Sequence, residues 1–206
     1  MGPGRIHALI DGVFAIAMTV LVLDLPQPKG SHRLTHDLLH QWPAYVAYVV
    51  SFATIGVLWV EHHGMMASVR RINRRFLERT LVFLLFVSIM PWPTALAARY
   101  ANQGSQARPA AILYAATMMM MGLSFAWSWD YLSRRTDLVI EPARPGLAVG
   151  FRRALLGGLA DVVAILVAFV SPAASFAIDA VVVISFALST SRVPALLVRV
   201  SDSGLD

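Results

Sequence analysis

Six long apolar runs, each about as long as a bilayer is thick, leave few folds open to this chain. They lie at about Ala8–Leu25, Pro43–Val60, Thr80–Ala98, Ala110–Trp129, Phe151–Val170 and Ala173–Ser191. A helix of roughly 18 to 20 residues, rising about 1.5 Å per residue, covers the ~30 Å hydrocarbon core. Helix also satisfies the backbone polar groups that lipid cannot. With 57% hydrophobic residues and 14% charged ones, the chain is too apolar for a soluble domain of this length. The expectation is an all-α integral membrane protein: a single domain over residues 1–206 with six transmembrane helices per subunit. The first run ends in Asp24-Leu25-Pro26 rather than at a small-residue cleavage site, so it is expected to be retained as a helix. Ser171-Pro172 is a helix stop between the last two runs and predicts a hairpin.

Charge sets the orientation. With six spans both termini share a side, and that side receives Arg5, Arg70, Arg71, Arg74, Arg75, Arg79, Arg134, Arg135, Arg144, Arg152, Arg153, Arg192 and Arg199. The other side receives Lys29, Arg33, Arg99 and Arg108. This positive-inside bias predicts cytoplasmic termini, and the same arginines suit anionic lipid headgroups. The net charge of +5 therefore reports topology rather than nucleic acid, for which no base-reading motif is present. Cysteine is absent, which excludes disulfides and thiolate metal sites.

The first run carries polar groups that a mere anchor does not need. At 100° per residue, Ile16, Val20 and Leu23 form one stripe with Thr19 on its shoulder, and Asp11 lies about 140° from Ile16. Asp11 therefore calls for a second partner surface. The end of the second run, Trp59-Val60-Glu61-His62-His63, lies at similar depth and offers indole and imidazole donors, so a latch among Asp11, Trp59, His62 and His63 is expected. Adjacent histidines point apart on a helix and the HExxH spacing is absent, which disfavours zinc even with Glu61 and His7 nearby. Asp24, near the far end of the run, is placed to attract cations.

Elsewhere, Pro91-Trp92-Pro93 predicts a kink in the third run. Met118 to Met121 point all round their helix and read as core and lipid contacts. Gly157 and Gly158 permit close helix packing. Asp161 and Asp179 fall well inside the fifth and sixth runs, where a carboxylate needs a donor or a proton. They supply the argument for a proton-coupled secondary transporter, although neither a repeated half nor a helix broken at its middle accompanies them.

Three segments, RIHALIDGVFAIAMTVLVLDLP, IGVLWVEHHGMM and LVFLLFVSIMPWPTALAARY, resemble the prokaryotic members of the transmembrane protein 175 family, whose animal relatives are endolysosomal potassium channels. The resemblance runs from Arg5 to Tyr100, about half the chain. It implies a homotetramer in the prokaryotic plasma (inner) membrane, with the first helix of each subunit lining a central pore for K+, no cofactor and no enzymatic activity. It further implies a hydrophobic constriction at Ile16, a hydroxyl layer at Thr19, a second apolar layer at Leu23, and Val20 and Asp24 as further pore-lining candidates. The family's polar network would fall on Arg5, Asp11, Trp59, His62 and His63. Two departures stand out: Leu9-Ile10-Asp11 where the family usually has Phe-Ser-Asp, and Arg79-Thr80 where it often has Asn. No TVGYG-like carbonyl filter occurs in the chain. A passive potassium channel is thus the leading expectation, with a proton-coupled transporter or a non-conducting membrane scaffold as alternatives.

Overall fold

The computed structural model describes residues 3–27 and 34–190. Lys29, Arg33, Ser191, Arg192 and Arg199, which entered the reading above, lie outside the described residues. The first run forms α1 (Pro3–Val20), which tightens into a 3₁₀ turn over Leu21–Asp24. A short exposed helix, α2 (Leu34–His40), leads into α3 (Trp42–Ala67), whose first turn accommodates Pro43 because no helical N–H is needed there. The helix continues past the apolar run that ends at Val60, so Glu61, His62 and His63 are helical residues.

The third run divides into α4 (Arg74–Ile89) and α5 (Pro91–Tyr100). Pro91 and Pro93 carry no N–H, and Met90 N–H reaches only three residues back, to the Val87 carbonyl at 3.3 Å. At its other end α4 starts well before Thr80, on Asn73, whose side-chain oxygen accepts from Phe76 N–H at 2.9 Å. The rest of the chain forms α6 (Ala107–Arg134), α7 (Leu147–Ala168) and α8 (Pro172–Thr190).

Helix α1 buries Ile6, Ile10, Phe14 and Ala17, spaced three or four residues apart, against α3 and α4, and Leu21 of the following 3₁₀ turn continues the row. Helix α6 is the hub, packing on α4, α5, α7 and α8. Its approach to α7 depends on small residues. A Cβ on Gly150 would come within 2.8 Å of the Trp129 ring, and one on Gly122 within 3.5 Å of the Gly158 backbone. The α3–α4 and α6–α7 connections meet in an antiparallel bridge between Val69 and Val139, where Arg70 N–H donates to the Leu138 carbonyl at 2.7 Å. Through this bridge Arg70, Arg71, Arg74, Arg75, Arg134, Arg135 and Arg144 collect at one end of the molecule, the end at which α1 begins.

Six membrane-spanning helices per subunit is the expectation that requires correction. Among the described residues, four helical stretches are long and apolar enough to cross a membrane: Gly4–Asp24, Trp42–Ala67, Arg74–Tyr100 and Gly104–Arg134. Helix α7 falls short because no 18-residue stretch of it avoids Arg152, Arg153 and Asp161 together. In α8 the apolar stretch among the described residues is Pro172–Leu188, shorter than each of those four. The central pore of a tetramer rested on the six-helix subunit and is corrected with it.

Candidate functional site

On α1, the face opposite the buried Ile10, Phe14 and Ala17 is open. Ile16 is 65% exposed and Leu23 76% exposed, with Thr19 exposed between them. Thr19 stands at the centre of this face, diametrically opposite the core, rather than on the shoulder of a stripe through Val20. Its hydroxyl donates to the Ala15 or Ile16 carbonyl, each at 3.0 Å, which turns the oxygen lone pairs outward. Val20 is half-buried and belongs instead to the wall of a groove of about 580 Å³ between α1 and the α4–α5 break. Ile16, Asp24, Ser88, Pro91 and Trp92 also line this groove. Asp24 is exposed at the end of this groove far from the arginines and borders a second groove, of about 620 Å³, that reaches His40 and Arg99.

Toward the arginine-rich end, one side-chain hydrogen bond ties α1 to α3 among the described residues. Trp59 Nε1–H donates to Asp11 Oδ1 at 2.9 Å, and the Trp59 ring packs on His63 with centroids 5.7 Å apart. Of the expected latch, Asp11, Trp59 and His63 are therefore together. His62 is not: at 1% exposure it lies among Phe14, Phe83 and Phe125, stacked on Phe83 at 5.4 Å with planes 8° apart. Its place in the aromatic core follows from helical phase, since one residue of rotation from His63 carries it off the Asp11–Trp59 contact and into the seam where α1, α4 and α6 meet. Arg5 is exposed on α1, about 9 Å along the helix axis from Asp11.

Two contacts escaped the reading of the sequence. Glu61 Oε1 accepts from Arg153 at 3.0 Å, joining α3 to α7. Arg79, read above as a topological charge and as a departure from the family pattern, lies over the rings of Trp127 at 4.1 Å and Tyr131 at 4.4 Å and donates to the Trp127 carbonyl at 2.6 Å. The available signal for the first pair was that Glu61 and Arg153 were both assigned to the same membrane face. Among the described residues, no group of three or more His, Asp or Glu gathers in a metal-holding arrangement.

Comparison with known proteins gives three concordant results. The family model described as endosomal/lysosomal potassium channel TMEM175 matches residues 5–91. A potassium channel of Streptomyces collinus is 38% identical over 197 residues, which covers 93% of this chain and 94% of that protein. One from Chamaesiphon minutus is 38% identical over 146 residues, covering 68% of this chain and 70% of that one. The crystal structure of a lysosomal potassium-selective channel TMEM175 homolog from Chamaesiphon minutus superposes with a TM-score of 0.82 at 35% identity, over 91% of this chain and 97% of that chain. That likeness is between single chains; it supports an all-α membrane subunit and not the homotetramer expected from sequence.

Proposed function

We propose that this chain, which belongs to the TMEM175 family of potassium channels, conducts K+ along the open face of α1, with Ile16 as the constriction. The carrying observation is the exposed sequence of Ile16 and Thr19 on α1 and Leu23 on the 3₁₀ turn that continues it, opposite a face committed to the core. An isolated apolar layer offers an ion no oxygens in exchange for its water and so holds a path closed by dewetting. A slight widening at Ile16 lets a hydrated or partly hydrated cation through. Just beyond it, the outward lone pairs of Thr19 help a weakly hydrated ion such as K+ more than Na+. Leu23 adds a second apolar layer, and Asp24 raises the local cation concentration at the outer mouth. Near the other end, the Asp11–Trp59 hydrogen bond sets how far α1 can lean from α3, with His63 packed behind the indole; Arg5 shares this polar end and His62 fixes α3 from within. We place both termini on the cytoplasmic side of a prokaryotic plasma membrane, on the strength of the arginines gathered at the end where α1 begins.

Single-channel recording in bilayers tests this reading. Ile16→Asn is expected to raise conductance several-fold by wetting the constriction, and Thr19→Ala to reduce the preference for K+ over Na+. Unchanged conductance and ion preference in the combined variant would sink the assignment. Flux into potassium-loaded liposomes under an imposed voltage separates the rivals: saturable, proton-coupled flux marks a transporter, and none marks a scaffold.

A further inference from the structure

Away from α1, the bundle of α6, α7 and α8 encloses two carboxylates that the conduction reading does not use. Asp161 is 3% exposed and Asp179 is 0% exposed. Asp161 Oδ1 and both oxygens of Asp179 are buried without a hydrogen-bond partner among the described residues. Asp161 lies seven residues before the end of α7 and Asp179 seven residues after the start of α8, so the antiparallel hairpin holds them at one depth. Asp161 lines a cavity of about 50 Å³ that it shares with Thr54, Met121, Gly157 and Val183. That space exceeds the roughly 10 to 15 Å³ that a single water needs.

We propose that Asp161 and Asp179 form a buried proton-binding site within one subunit, in which solvent protons sit on the carboxylate oxygens. The surroundings select the ligand. Among the described residues no Lys, Arg or His pairs with either carboxylate, and the nearest ion pair, Arg153 with Glu61, sits eight residues earlier on α7, about 12 Å along its axis. From the packed elements, α3 presents the hydroxyls of Ser51 and Thr54, α5 that of Thr94, and α6 the titratable hydroxyl of Tyr114, which bonds Ser51 at 3.1 Å while Ser51 bonds Thr94 at 2.8 Å. Ser175, one turn before Asp179, adds a buried hydroxyl oxygen without a partner. A metal or potassium ion needs a shell of several oxygens, whereas this cavity is walled mainly by methyl and ring carbons. A proton needs one oxygen, and it removes the charge that two facing carboxylates would otherwise bury together. Its loss makes the hairpin self-repelling, so proton binding ties the α7–α8 pair to α6.

The experiment uses the full chain in detergent, followed by thermal unfolding from mildly acid to mildly alkaline pH and by infrared difference spectroscopy. The wild type is expected to lose stability as pH rises, because the folded form binds more protons than the unfolded one. It should also show a protonated carboxyl C=O band at neutral pH that shifts in D2O. Asp161→Asn and Asp179→Asn should each remove part of that band, and the double variant should flatten the alkaline loss while retaining potassium flux. A wild type without the band at neutral pH overturns the proposal even if the variants fail to fold. So does an unchanged band and pH slope in folded variants. Neither result bears on conduction, which is read separately at Ile16.

Discussion

The indole of Trp59 performs two tasks with different atoms: its N–H holds Asp11 and its ring face rests on His63. Trp59→Phe keeps the ring and removes the donor, and Asp11→Asn weakens the acceptor. Each is expected to cost about 1 to 2 kcal/mol, with the double variant little worse than either single one, because both remove the same bond. Thermal unfolding in detergent measures the cycle, and channel open probability should change in step. The Asp11–Trp59 pair was legible in sequence because a carboxylate in a span must find a donor at its own depth. His62 was not, since sharing one short run with Trp59 and His63 suggested a shared role while helical rotation from His63 sends it among Phe14, Phe83 and Phe125. Thr19 was legible as a residue but not as the centre of its face, because the stripe was drawn through Val20, which is half-buried.

Helix boundaries depend on chemistry that hydropathy does not register. The break at Met90 was readable because two prolines withhold two donors. The start of α4 was misjudged because Arg74, Arg75, Glu78 and Arg79 are polar, yet Asn73 caps the helix ahead of them and its amide also donates to the Tyr131 hydroxyl at 2.8 Å. For α7 and α8 apolar character was clear, but a run counted as a span included the arginine pair and an aspartate that place α7 outside that class. The closeness of α6 and α7 yields a sharper prediction. Gly150→Ala puts a methyl against the Trp129 ring and should destabilise the protein by about 1 to 3 kcal/mol. A lowered melting temperature relieved by pairing with Trp129→Leu would show that this contact is the cause.

Across the whole molecule, membrane character and family membership were legible because they rest on long runs and multi-residue segments, whereas assembly was not, since no single residue in the chain reports how copies meet. Orientation can be tested cleanly because the chain has no cysteine of its own. A thiol introduced as Ser105→Cys, in the exposed turn before α6, should react with an impermeant reagent on intact cells. One introduced as Glu141→Cys, in the exposed connection before α7, should react only after permeabilisation. The opposite pattern would invert the proposed topology. The polar ties on α3 carry a mechanical consequence. Trp59 is bonded toward α1 and Glu61 toward α7, and two residues of helix place those directions about 200° apart. Helix α3 therefore carries polar ties on two opposed faces and links α1 to α7 through its own body.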